Sequence, residues 1–155
     1  MLLMLFPVLG ATGQDAPNIP VVNFEQFEPW LHKENDSIYV INFWATWCAP
    51  CVKEIPAFEK LNAQYKDRKV KVLLVSLDFP NQVQSRVIPF MERQQMKSSV
   101  VLLNDPDANA WIDKVSNQWS GAIPATIIYS RGFREFYEQE FEYEELQQIV
   151  ERLLE

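Results

Sequence analysis

Apolar residues change their spacing several times along this chain, and each change marks an element. Between Asn23 and His32, Phe24, Phe27 and Leu31 recur at helical spacing. Asn23 stands as a cap with Gln26 three residues on, which predicts a short helix closed by a capping box. Ile38-Tyr-Val-Ile-Asn-Phe-Trp44 and Val70-Lys-Val-Leu-Leu-Val-Ser-Leu77 are near-continuous apolar runs of strand length, the pattern of a sheet covered on both faces. Between them the pattern predicts a helix from about Pro50 to Tyr65, with proline tolerated in its first turn and Pro56 placed to kink it. A helix from about Val83 to Met96, a strand from Val100 to Leu103 and a helical stretch around Ala108 to Gln118 follow. Ala125-Thr-Ile-Ile-Tyr129, a turn at Ser130-Arg-Gly132, and Phe133 to Gln139 read as an antiparallel hairpin. A last helix from Glu142 to Leu154 puts Leu146, Ile149, Val150 and Leu153 on one face. Strands alternating with helices, then a hairpin and a helix, define an α/β fold around a mixed central sheet. There is no internal repeat, low-complexity run or Ser/Gly-rich linker.

Length and composition narrow the class. A chain of 155 residues, 48% hydrophobic, buries one core and is too short for two ordinary domains. Four Gly, ten Pro and 13% aromatic residues exclude collagenous and disordered classes. The formal net charge of −7 argues against a nucleic-acid partner, which needs clustered Lys and Arg. This charge is local: from Glu135 to Glu155 there are eight Glu against one Arg, and the remainder is balanced. That segment reads as the solvated face of the last helix.

The first residues, Met-Leu-Leu-Met-Leu-Phe-Pro-Val-Leu-Gly-Ala-Thr-Gly-Gln, carry no charge before Asp15. The run is shorter than the ~20 residues that span a bilayer, and its length suits the apolar region of a signal peptide. Ala11 and Gly13 supply small residues before a cut at Gln14. Residues 1–13 are thus expected to be a signal-peptide remnant and 14–155 the folded domain, exported to the periplasm or cell envelope. A cytoplasmic tail or a first core strand is the alternative.

Both cysteines lie in Trp47-Cys48-Ala49-Pro50-Cys51, directly after a strand and at the start of a helix. There, unpaired backbone N–H groups and the helix dipole favour a thiolate on Cys48, the expected nucleophile. Cys51, one turn later, can reach back to resolve a mixed disulfide. Two Cys and a single remote His32 fall short of a zinc site, which takes about four ligands. A disulfide closing so short a loop adds little stability. Redox chemistry is the stronger reading of the pair, and no resident metal or cofactor is expected.

Asn42-Phe-Trp-Ala-Thr-Trp-Cys-Ala-Pro-Cys-Val-Lys-Glu-Ile-Pro56 resembles the thioredoxin superfamily, most closely its TlpA/ResA-type extracytoplasmic thiol–disulfide oxidoreductases. Gly121-Ala-Ile-Pro-Ala-Thr126 resembles the same group. The resemblance implies a thioredoxin-like fold with a helix-plus-strand insertion between the active-site helix and the later hairpin, containing much of Val83 to Leu103. It also implies that Pro124 is cis, opposite the cysteines, with Ile123 and Ala125 lining a substrate groove and Trp47 shielding the sulfurs. Thioredoxins proper carry a buried Asp where this chain has Asn42, which cannot exchange a proton. Glu54, three residues past Cys51, stands where the ResA-type branch has a functional glutamate. A carboxyl group in an apolar site has its pKa raised and can take the proton of Cys51. The expected site is therefore Cys48, Cys51 and Glu54 for chemistry, with Trp47, Ile123 and Pro124 for substrate.

By the same resemblance the partners are protein disulfide clients and an upstream membrane electron donor, and the direction is reduction. Two other readings are open to the same cysteines. A copper-handling protein would use the soft sulfurs of Cys48 and Cys51, with no nearby His or Met to complete the site. A peroxiredoxin would need Thr and Pro where this chain has Ala45 and Ile41. Trp44, Trp111 and Trp119 read as packing residues, and His32 as a solvated polar residue. Gln139-Glu-Phe141 replaces a glycine expected after the hairpin, which puts that wall of the groove in question.

Overall fold

The computed structural model describes residues 18–155; the signal-peptide expectation for residues 1–13 lies outside the described residues. In chain order the elements are β1 (Val21–Val22), α1 (Phe24–Phe27), β2 (Ile38–Trp44), α2 (Ala49–Tyr65), β3 (Val70–Ser76) and α3 (Ile88–Arg93). They continue with β4 (Ser99–Leu103), α4 (Ala108–Val115), β5 (Ala125–Ser130), β6 (Phe133–Tyr137) and α5 (Tyr143–Leu154). The strands form one six-stranded sheet in the order β1-β4-β3-β2-β5-β6. Pairs β1/β4, β4/β3 and β3/β2 are parallel, and β2/β5 and β5/β6 are antiparallel.

All seven residues of central β2 are buried, because helices cover both faces. Side chains alternate across a strand, and the alternation sorts the core into two clusters. Ile38, Val40 and Trp44 face Phe58, Leu61 and Tyr65 of α2 and Leu146 and Val150 of α5. Tyr39, Ile41 and Phe43 face Phe24, Phe27, Trp111 and Trp119. Asn42 shares the phase of Val40 and Trp44 and so faces the α2 side. Its antiparallel partner on β5 is Thr126. One polar pair is thereby placed beneath the helix that follows the cysteines.

Several elements depart from the sequence pattern. The first helix keeps its Asn23–Gln26 capping box but makes a single α turn, then a 3-10 turn over Glu28–Leu31 with Pro29 near its start. The span expected as one helix from Val83 begins as a π turn (Val83–Val87) and becomes α-helical only at Ile88, ending at Arg93. Pro89, which has no N–H for the carbonyl one turn back, sits in the first turn of α3, where a missing donor is tolerated. Helix α4 stops at Val115, where Ser116 turns extended and its Oγ accepts from Gln118 N–H at 3.2 Å; this local serine turn competes with the helix. By contrast, α2 runs unbroken through Pro56. Strand β1 has no counterpart in the sequence reading.

Candidate functional site

The site assembles where β2 ends and α2 begins. Cys48 is the N-cap of α2, and the Cys51 N–H donates to its Sγ at 3.4 Å. The two cysteines form a disulfide with S–S 2.10 Å. Cys48 is 6% exposed and Cys51 fully buried, so a partner approaching from solvent meets Cys48. Trp47 beside it is 56% exposed.

Across from Cys48 the chain arrives through Gly121, whose φ of +91° suits glycine; a Cβ there would also lie 3.3 Å from Ile112 Cδ1. Trp119 Nε1 donates to the Ala122 carbonyl at 2.7 Å, and Glu138 accepts from the Ser120 N–H and hydroxyl. Thus held, the loop places the Ile123 carbonyl oxygen 3.6 Å from Cys48 Sγ. The Ile123–Pro124 peptide is cis, as the resemblance implies. Pro124 is buried and Ile123 half-buried.

Glu54 lies one turn after Cys51 on α2 and is 2% exposed. Its Oε1 accepts from Asn42 Nδ2 at 2.7 Å and its Oε2 from the Phe141 N–H at 2.9 Å. Asn42 Nδ2 also donates to Thr126 Oγ1 at 3.1 Å. Burial raises the pKa of Glu54 from 4.5 to about 7; the Phe141 and Asn42 bonds oppose the rise, and the charge of Glu140 adds to it. Glu140 is paired with Lys53 at the surface. The segment Gln139-Glu-Phe141, without the expected glycine, thus supplies both a hydrogen bond to the buried carboxyl group and a charge that acts on it.

The structure brings together Cys48, Cys51, Ile123 and Pro124, sets Trp47 at their rim and Glu54 one turn beneath. His32 lines a cavity of about 570 Å³ with Lys114, Arg134 and Phe136, which contains none of these residues. Trp44, Trp111 and Trp119 are buried in packing. Among the described residues, no group of three His, Cys, Asp or Glu side chains could hold a metal ion, and no helix is long and apolar enough to cross a membrane.

Sequence reasoning missed Thr126, the Phe141 N–H and Asp78. Asp78 is 2% exposed and lies just past β3. It accepts from the Thr46 N–H at 3.0 Å, the Thr46 hydroxyl at 2.5 Å and the Ser76 hydroxyl at 2.8 Å, so it ties down the loop that carries Trp47 and Cys48. The signal available was its position, since the carboxyl ends of parallel strands are where open α/β sheets build sites.

This sheet order, with a disulfide at the head of the helix after β2 and a cis-proline opposite, is that of a thioredoxin-like protein. The model of the AhpC/TSA family matches residues 12–132, and the chain belongs to that family. It is similar to the thiol-disulfide oxidoreductase ResA of Bacillus cereus, 30% identical over 90 residues covering 58% of this chain and 50% of the relative. With ResA of Geobacillus kaustophilus it is 28% identical over 122 residues, covering 78% and 64%. The aligned stretch thus spans half to just under two thirds of these relatives. Two solved structures share the fold. One is a thioredoxin-related protein from Neisseria meningitidis serogroup B (TM-score 0.65, 22% identity, 77% of this chain and 86% of that one). The other is a secreted thiol-disulfide isomerase from Corynebacterium glutamicum (TM-score 0.64, 17% identity, 77% and 72%).

Proposed function

We propose that this protein is a thiol–disulfide oxidoreductase that reduces disulfides of other proteins outside the cytoplasm. The observation that carries the reading is the asymmetry of the pair: Cys48 keeps 6% exposure beside the Ile123 carbonyl, whereas Cys51 is fully buried one turn before a carboxyl group that takes up a proton near pH 7. The similarity to ResA and the secreted fold neighbour support it.

In the reduced protein the Cys48 thiolate, favoured at the helix N-terminus, attacks one sulfur of a client disulfide. A Cys48–client bond forms and the other client sulfur leaves as thiolate. Cys51 passes its proton to Glu54 and attacks Cys48 Sγ. The mixed disulfide breaks, the second client sulfur leaves as thiolate, and the Cys48–Cys51 bond forms. Two electrons have moved from the protein to the client, and the client thiolates take up protons, one of them from Glu54. Trp47, Ile123 and Pro124 line the groove in which the client lies. A thiol donor at the membrane returns the two electrons by the reverse exchange, and residues 1–13 serve export of the domain that starts at residue 14. Ala49-Pro50 between the cysteines supplies no histidine, and the reductive direction follows the ResA resemblance.

Trapping tests the scheme. Mixed with a disulfide-containing protein, reduced Cys51→Ser should accumulate a covalent adduct through Cys48, visible by intact mass, whereas Cys48→Ser should accumulate none. Equal adducts from both variants, or none from either, would overturn it.

A further inference from the structure

We propose that Phe79 joins Trp47 in an aromatic rim that selects client segments carrying a large apolar side chain beside the reacting cysteine; the proposal rests on the exchange reading above. Among the described residues, four large hydrophobic side chains are exposed, and Phe79, at 64%, is the most exposed of them. Trp47 is another. Their placement follows from the ends of β2 and β3 and one anchor beyond them. β2 and β3 pair in parallel up to Trp44 opposite Ser76. Past the ladder the Leu77 N–H donates to the Trp44 carbonyl at 2.8 Å, the chain turns over Ala45–Cys48, and the Asp78 carboxylate holds this turn by accepting from both the N–H and the hydroxyl of Thr46. Trp47 and Phe79 each follow one member of this Thr46–Asp78 anchor, so both exposed aromatic residues are joined to the same fixed point, with Cys48 immediately after Trp47.

Phe79 is exposed on a held backbone. On one side stands Asp78, buried, accepting from Ser76 and Thr46 and donating its own N–H to Ser76 Oγ at 3.1 Å. On the other, the Phe79 carbonyl accepts from the Gln82 N–H at 2.8 Å and Pro80 opens a 3-10 turn. A client that covers this ring therefore gains apolar burial without ordering a loop, the condition under which contact area turns into affinity. Charge points to the same occupant. Residues 45–50 and 79–82 contain no ionisable side chain other than Cys48, in a chain that is 23% charged, and the acid before Phe79, Asp78, is buried. The two stretches that carry Trp47 and Phe79 are thus aromatic and free of Asp, Glu, Lys and Arg, suited to an extended, uncharged polypeptide segment with a Leu- or Phe-sized residue next to its cysteine.

Two peptide disulfides that differ only in Leu or Ser beside the cysteine test this. The reduced protein should favour the Leu peptide by about tenfold in kcat/KM, the worth of one buried apolar side chain. Phe79→Ser should cut that preference to threefold or less, with the loss in KM, and Phe79→Leu should keep most of it. The Cys48/Cys51 potential, measured in parallel, should not move in either variant. Equal rates of wild type on both peptides, or a preference that survives Phe79→Ser, would overturn the rim. Reduction of neither peptide by wild type would instead overturn the exchange reading itself.

Discussion

Two carboxylates flank the disulfide loop, equally buried at 2% exposure, and they are held in opposite ways. Asp78 receives the Thr46 N–H, the Thr46 hydroxyl and the Ser76 hydroxyl. Glu54 receives one donor on each oxygen, from Asn42 and from the Phe141 N–H, and burial leaves it with a pKa of about 7. Equal burial does not make equal chemistry. The acid ahead of Cys48 collects three donors and anchors the loop; the one a turn beyond Cys51 has fewer donors and can exchange a proton at neutral pH.

The largest effect is expected at the anchor. Asp78→Ala strands three buried or half-buried donors and should cost about 3 kcal/mol in urea unfolding, with a shift in Trp47 emission as the loop loosens. A loss below about 1 kcal/mol would show that Asp78 anchors nothing.

Glu54 should govern how stability depends on pH. Its folded pKa is raised above the ordinary 4.5, so between about pH 4.5 and 7 the native state binds the extra proton, and stability falls as pH rises through that window. The loss should approach about 3 kcal/mol by pH 8. Glu54→Gln should remove it, which parallel urea titrations of the oxidised proteins at pH 5 and pH 8 would reveal.

Exchange kinetics sharpen the contrast. Resolution of a Cys48 mixed disulfide should accelerate as pH rises through 7, where Glu54 becomes able to accept a proton. Glu54→Gln should lower that rate about tenfold at pH 8 and flatten the profile. Asn42→Ala removes a donor to the charged carboxylate, so the inflection should move above 7. Thr46→Val, on the anchor side, should cost about 1 kcal/mol and leave the inflection in place; a moved inflection would mean that the two carboxylates act as one network.

How much of this was legible in the sequence depended on distance along the chain. Strands β2 and β3 and the β5–β6 hairpin showed as runs and turns within a single window, and the Cys-x-x-Cys segment carries its own chemistry. Strand β1 is two residues long, below any readable alternation, and the π turn before α3 lies inside an otherwise helical pattern. At the site, Asn42 and Glu54 each stood out, but their hydrogen bond did not, because it needs the phase of β2 and the face of α2 at once. Thr126 joins through antiparallel register, and Asp78 through parallel register with a segment more than thirty residues earlier. Phe141 contributes only its N–H, which no side-chain pattern discloses.

On this mechanism Cys48 and Cys51 cycle as a reducing pair. Its most direct test is equilibration of the folded domain against defined thiol buffers at pH 7, with the disulfide fraction read by alkylation and mass. A single two-electron transition towards about −270 mV is expected for a reductant of this kind. A midpoint near about −120 mV would reverse the direction of electron flow, and a pair that does not cycle would contradict the account.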